Sequence, residues 1–342
     1  MAARIYSGSE NRRGDVHLER AEAGIRDARE RTLQLVRTLT RPEKLPGAKL
    51  VTSKTLFRKL EGEGALHEGV RSGVPWVLLN GDAKSCLQKL PDLSIDCVVT
   101  SPPYYWQRDY GVEGQTGHEA SIDEYIETLQ SVFREVRRLL KPHGLLFLNL
   151  GDTYYSGKGR PRGKDRKQVW RSVSRDKYRA VDRPGFGLPK KSLIGIPWRV
   201  ALALQADGWA IRSAVRWHKP KNFAEPSAMD RPWNVSETVF IMAKSREYFF
   251  SRKGLQGEED VWTITARSKS QYRRAAPFPE ALVERCLACG CRRNGVVLDP
   301  YVGSGTSVKV ALDRGSPAIG IDLNAKYLDF AATRIRSTRR PK

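Results

Sequence analysis

An α/β fold with a mostly parallel sheet, covered by helices on both faces, is what this sequence of 342 residues predicts. Three observations carry the expectation. Strand-like runs such as IDCVV and LLFLNL are apolar throughout rather than alternating, which is the pattern of strands buried on both faces. An amphipathic segment of helical period separates those two runs. Near the C-terminus a short strand, VVLD, leads through a glycine loop into a helix and then a second strand, AIGID, that ends in a carboxylate.

Taken in order, residues 1 to 75 are charged and turn-rich. Their one clear helical stretch, HLERAEAGIRDARERTLQLVRTL, has only a sparse apolar stripe, so they are expected to form a helical extension, an appendage that packs on the core or on a partner. The core is expected to start with a strand at Trp76 to Leu79, followed by a short crossover helix around Cys86, Leu87 and Leu90 and a strand at Ile95 to Thr100. The segment from Ser121 puts Ile122, Ile126, Leu129, Phe133, Val136 and Leu140 on one helical face. Ser121 and Glu124 make a capping box at its start, and Pro142 with Gly144 stops it. The strand Leu145 to Leu150 follows, then a helix opening at Pro197 and ending at Gly208. WAIRSAVRWHK and SETVFIMAKS read as two strands joined by a Pro-rich connection. A helix from Pro279, the strand–glycine loop–helix unit, the strand AIGID and a final helix complete the chain.

The charge balance is 60 Lys plus Arg against 38 Asp plus Glu, a formal +22, which calls for a polyanionic partner: nucleic acid first, an anionic membrane surface second. No apolar run is long enough to span a bilayer and the N-terminus lacks an apolar signal core, so a soluble cytoplasmic protein is expected. The five cysteines are odd in number and scattered, consistent with reduced thiols. Cys286, Cys289 and Cys291 lack a fourth ligand at zinc-site spacing, so core packing is expected there and no metal.

Between residues 160 and 183 the chain carries ten Lys or Arg against three Asp, with no apolar periodicity. This is either a solvated loop or a nucleic-acid contact in which Trp170 and Tyr178 stack while basic groups hold phosphates. On the second reading Arg160, Arg162, Lys164, Arg166, Lys167, Trp170 and Arg171, with Lys219 and Lys221 further on, are the DNA-binding candidates.

Two stretches carry chemistry. TSPPYYW, residues 100 to 106, places a serine, two prolines and aromatics at the end of a strand, where ligands bind in open α/β sheets. LDPYVGSGTS, residues 298 to 307, puts Gly303 and Gly305 between a strand and a helix, where backbone can approach a ligand closely. It lacks the Gly-Lys-Ser/Thr of a phosphate-binding loop and the third glycine of the dinucleotide fingerprint. Asp322 lies 23 residues after Asp299, placed to accept the hydroxyls of a ribose or to cap the following helix.

These two stretches, with APFPEALVERC at 276 to 286 and VRWHKPKNFAEPSAMDRPWNVSETVF at 215 to 240, resemble the amino-methylating, S-adenosyl-L-methionine-dependent DNA methyltransferases. The catalytic motif precedes the cofactor motif, which is that family's beta arrangement. The resemblance spans about residues 76 to 332 and implies a Rossmann-like class I methyltransferase fold with a mixed, mostly parallel seven-stranded sheet. It divides the chain into an extension at 1–75 and a catalytic domain at 76–342. Within the domain fall a catalytic motif at 95–111, a basic insertion at 153–190, a target-recognition region at 219–275 and cofactor motifs at 276–322. It implies that Ser101, Pro102, Pro103 and Tyr104 form the catalytic tetrad. Asp299, Pro300, Tyr301, Gly303, Ser304, Gly305 and Thr306 then form the cofactor loop, Asp322 the ribose carboxylate, and Asp82 and Phe278 flanking contacts. Tyr301 stands where phenylalanine is usual.

An exocyclic amine of a base is a poor nucleophile because its lone pair is delocalised into the ring. A serine hydroxyl and the carbonyl of Pro102 can accept its two N–H bonds and localise that pair. Tyr104, with Tyr105 or Trp106, is expected to stack on a base flipped out of the duplex. No Pro-Cys dipeptide occurs, which argues against cytosine-C5 chemistry. Cytosine N4 and adenine N6 present the same donor–acceptor pair, so the residues alone leave both open. Within the family a serine at the first tetrad position accompanies cytosine N4. A nucleic-acid-binding module with a vestigial cofactor site is the remaining alternative, against which the intact motifs argue. The resemblance also implies duplex DNA as partner, a cognate restriction endonuclease, and compatibility with a homodimer.

Overall fold

The computed structural model describes residues 51–60, 65–156, 179–183, 185, 187–220, 229–266 and 278–337, all within the compact unit Ala48–Lys342. In chain order these residues form α1 (Ser53–Leu60), β1 (Ala65–Arg71), β2 (Val74–Asn80), α2 (Ala83–Gln88), β3 (Ile95–Thr100), α3 (Ile122–Leu139) and β4 (Leu140–Leu150). They continue with α4 (Ile196–Ala206), β5 (Ala210–His218), β6 (Ser236–Ala243), β7 (Val261–Thr263), α5 (Glu280–Gly290), β8 (Val297–Asp299), α6 (Thr306–Asp313), β9 (Ala318–Asp322) and α7 (Ala325–Arg336).

One nine-stranded sheet runs in the order β1-β2-β9-β8-β3-β4-β6-β5-β7. From β2 to β4 every neighbouring pair is parallel, whereas β1 and β6 run against their neighbours. β3 leads through α3 to β4 on one side, and β8 leads through α6 to β9 on the other. The sheet therefore changes winding direction between β3 and β8, and a crevice opens beyond their carboxyl ends.

The apolar runs behave as their composition dictates. All six residues of β3 are buried, as are the last seven of β4, because helices cover both faces. In α3 the Ser121 hydroxyl accepts from the Glu124 amide, the first half of the expected capping box, while the Glu124 carboxylate reaches one residue further back and accepts from the Ala120 amide instead of that of Ser121. The helix buries Tyr125, Leu129, Val132, Phe133, Val136 and Leu139. Ile122 and Ile126 are only partly buried, because the buried face is turned toward Tyr125 and Val132.

Two features differ from expectation. The sheet has nine strands rather than seven, since β1 and β7 extend its edges. Residues 53–60 and 65–71, expected in the N-terminal extension, belong to the core: Leu56, Phe57 and Leu60 are buried in the same cluster as Val77 and Leu79, and β1 pairs along β2. A short helix with three buried residues gives too few periods to stand out within a charged segment.

Candidate active site

Parallel winding gathers the ends of β2, β9, β8 and β3 at one rim, where a cleft opens. Asp82, Ser101, Pro103, Tyr301, Gly303 and Asp322 all line it. The register explains the convergence: Asn80 pairs with Asp322, and the Gly81 amide donates to the Asp322 carbonyl at 3.1 Å, so Asp322 ends β9 and Asp82 follows the end of the adjacent β2. Asp82 caps α2 by accepting from the Ser85 amide and hydroxyl. The Asp322 carboxylate accepts from the Gly303 amide at 2.9 Å and the Asn324 amide at 2.8 Å, and burial raises its pKa. It does not cap α7, because Asn324 does so itself.

The two loop glycines serve different ends. Gly303 has φ of 49°, with open space where a side chain would stand, so bare backbone faces the cleft. At Gly305, φ is 79° and a Cβ would come within 2.8 Å of the Ala331 Cβ, so glycine there lets α7 close on the loop. Asp299 is an internal brace: only 1% exposed, it accepts from the Thr100 hydroxyl (2.7 Å), the Ser307 hydroxyl (2.5 Å) and the Tyr301 amide (3.0 Å). Burial pushes its carboxyl up to about 6. Ser304 and Thr306 are buried and held by the Arg334 guanidinium, which donates to the Ser304 carbonyl and the Thr306 hydroxyl. Pro300 lies on the cleft wall. Phe278 does not; it borders a separate small cavity with Thr100, Asn149 and Cys286.

Ser101 is shared between this cleft and a polar cluster behind it. Its hydroxyl lies 3.2 Å from the Tyr104 hydroxyl, which donates to the Glu237 carboxylate at 2.8 Å. The Asn149 amide donates to Tyr104 at 2.8 Å and to Glu237 at 2.9 Å, and approaches Ser101 at 3.4 Å. Lys219 completes the group, its ammonium 2.6 Å from the other Glu237 oxygen. Burial and the Glu237 charge hold the Tyr104 phenol well above its ordinary value. Gly151 makes room for the tyrosine, since a Cβ there would lie 2.5 Å from the ring. Pro102 is buried, and the Pro103 carbonyl accepts from the Tyr125 hydroxyl at 2.9 Å, which fixes the turn.

Several expectations are corrected here. Tyr105 is 1% exposed and packs on Tyr125, and Trp106 is buried, stacked on His118 and donating to the Glu119 carbonyl, so neither presents a free face to a base. Lys219, expected on the DNA, is spent on Glu237 with 12% of its side chain exposed. Arg160, Arg162, Lys164, Arg166, Lys167, Trp170, Arg171 and Lys221 lie outside the described residues. All five cysteines are buried thiols; burial raises Cys97 and Cys286 well above the ordinary value and Cys289 to about 11.

Sequence reasoning missed Asn149, Glu237 and the wall formed by Tyr110, Gln115, Thr116, Asn324 and Tyr327. Asn149 had a signal, being the one polar residue in the apolar run LLFLNL. Glu237 had none, since a glutamate opening a strand is ordinary.

The family model described as DNA methylase matches residues 95–333, more than half of the chain. This protein belongs to that family of amino-methylating DNA methylases. Among its relatives, the Type II methyltransferase M.SmaI of Serratia marcescens is 40% identical over 269 residues, covering 75% of this chain and 90% of its own. The Type II methyltransferase M.Cfr9I of Citrobacter freundii is 38% identical, covering 76% and 87%. Among solved structures, the cytosine-N4-specific PvuII DNA methyltransferase superposes with a TM-score of 0.58 at 19% identity, over 78% of this chain and 88% of that one, which establishes the class I methyltransferase fold. A Thermus thermophilus protein solved in complex with S-adenosyl-L-methionine gives 0.52 at 25% identity, over 75% and 93%. As a DNA methylase this chain takes DNA as substrate and S-adenosyl-L-methionine as methyl donor. Among the described residues no helix is long and apolar enough to cross a membrane.

Proposed function

We propose that this DNA methylase transfers the methyl group of S-adenosyl-L-methionine to the N4 amine of cytosine within a short duplex sequence, as the modification half of a restriction–modification system. The observation that carries the reading is the place of Ser101: it opens the tetrad Ser101-Pro102-Pro103-Tyr104 at the winding switch, on the wall shared with Gly303 and Asp322. The donor fits the residues present. Bare backbone at Gly303 leaves a cradle that a side chain would fill, and Asp82 and Asp322 supply carboxylates for hydroxyl and amino groups. When bound, S-adenosyl-L-methionine supplies a methyl group activated by a sulfonium.

The chain's own residues then have to bring a weak nucleophile into line. The Ser101 hydroxyl and the Pro102 carbonyl accept the two N–H bonds of the amine and localise its lone pair. Tyr104 packs beside the base that leaves the duplex, offsetting part of the few kcal/mol that flipping costs. Alignment of the amine with the methyl group supplies roughly 7–11 kcal/mol more. Recognition of the DNA falls to the basic insertion at 153–190 and the region 219–275, with a catalytic domain at 76–342 behind an extension at 1–75. A cognate endonuclease, a cytoplasmic location and a homodimer complete this reading.

Incubating the protein with plasmid DNA and labelled S-adenosyl-L-methionine, then resolving the nucleosides by mass spectrometry, tests it. N4-methylcytosine is the expected product. N6-methyladenine would keep the fold and the donor but overturn the inference from Ser101.

A further inference from the structure

The polar cluster behind Ser101 has a direction. Glu237, paired with Lys219 at 2.6 Å, stands as a carboxylate and can only accept. Tyr104 has one hydrogen, and at 2.8 Å from Glu237 it gives it there. The Asn149 amide nitrogen, within 2.9 Å of both Tyr104 and Glu237, can only donate. The 3.2 Å contact between Ser101 and Tyr104 must therefore run from the serine hydroxyl to the tyrosine oxygen. The one hydrogen of Ser101 is turned to Tyr104, and with Asn149 approaching the oxygen from the same cluster at 3.4 Å, a remaining lone pair is left for the cleft.

We propose that Glu237, fixed by Lys219, is a positioning residue that acts through Tyr104 to hold Ser101 as a pure hydrogen-bond acceptor toward the target amine. This deepens the methyl-transfer reading and rests on it. An isolated serine hydroxyl rotates freely and presents its hydrogen to the cleft part of the time, opposing an incoming N–H. The chain from Lys219 to Ser101 removes that orientation before substrate arrives, which is preorganisation at the reacting atom. Glu237 opens β6 and Lys219 follows β5, so the hairpin on the far side of β4 from Ser101 sets the polarity of the tetrad.

Glu237→Gln tests the polarity while keeping the shape. Lys219 draws the amide oxygen to itself, so the amide nitrogen faces Tyr104 and drives the tyrosine hydrogen toward Ser101, whose own hydrogen then enters the cleft. We expect kcat to fall about ten- to hundredfold, the cost of losing one charge-assisted bond, with KM for DNA and for S-adenosyl-L-methionine unchanged. Adding Lys219→Met lets the amide turn its oxygen back to Tyr104, so the double variant should recover about fivefold or more in kcat. A Glu237→Gln enzyme within about twofold of the parent, or further loss in the double variant, would overturn the proposal. Should Glu237→Gln fail to fold, Tyr104→Phe decides: it leaves the Ser101 hydrogen without its acceptor and must lower kcat similarly, and full activity would overturn the proposal. Failure of the functional reading is separate, because it appears in the parent enzyme as absence of methylated cytosine.

Discussion

At the scale of single residues, the site is set by how closely Tyr104 is confined. Its ring lies against Gly151 and its hydroxyl is held by Asn149 and Glu237, so it can neither tilt nor withdraw. Gly151→Ala would put a methyl group 2.5 Å from the ring and force it off these partners. The expected result is a drop in kcat on the order of 10²-fold with S-adenosylhomocysteine affinity retained, measured by steady-state kinetics and calorimetry. Asp299 gives a second prediction. Its carboxyl titrates at about 6 in the folded protein against an ordinary 3.8, because burial disfavours the charge. The folded state thus holds this proton more tightly than the unfolded chain. The contribution to stability is full below about pH 4 and is lost as pH rises through about 6, up to about 3 kcal/mol in all. Asp299→Asn cannot titrate, so in urea unfolding the stability difference between parent and variant should shift by that order between about pH 4 and about pH 6.5. A difference independent of pH would mean that the carboxyl is not buried as described.

At the scale of elements, α1 is the part whose role is least expected from composition. Leu56 is fully buried in the cluster that also holds Val77 and Leu79, and its helix packs on β2, so the helix acts as a cover over that strand. Leu56→Ala should cost about 2–5 kcal/mol, the range for truncating a buried leucine, and lower the melting temperature of the whole catalytic unit in one transition. An unchanged melting temperature would return residues 53–60 to the extension. The same contrast explains how far the sequence could be read. β3, β4 and β9 were legible because burial on both faces leaves an apolar run, and α3 because eighteen residues give several turns of period and a cap. The cleft was legible where a residue type is forced: Gly303 by a positive φ, Asp322 by its place at a strand end. Glu237 and Lys219 were not, since their meaning comes from pairings across three strands, and Phe278 was misplaced because a motif fixes chain position but not the direction of a ring. Tyr105 and Trp106 share their composition with Tyr104, and only the turn after Pro103 sends them into the core.

For the whole molecule, the formal charge of +22 and the buried cluster around Ser101 make opposite demands on salt. Contacts between surface Lys or Arg and phosphates release counterions, so affinity for DNA falls steeply as salt rises. If six to ten phosphates are contacted, binding should weaken about 10³–10⁵-fold between 50 and 200 mM salt. The Lys219–Glu237 pair, with side chains 12% and 17% exposed, is shielded from mobile ions and should keep its geometry over that range. A salt series with DNA titrated at each step should therefore leave kcat nearly constant while KM for DNA climbs. Fluorescence anisotropy with a labelled duplex gives the binding slope, and methyl-transfer assays give the two kinetic constants. A flat KM would remove the electrostatic account of DNA capture. If instead kcat falls in parallel with affinity, the charges that hold Ser101 in place would have to be among those the solvent reaches, against their burial.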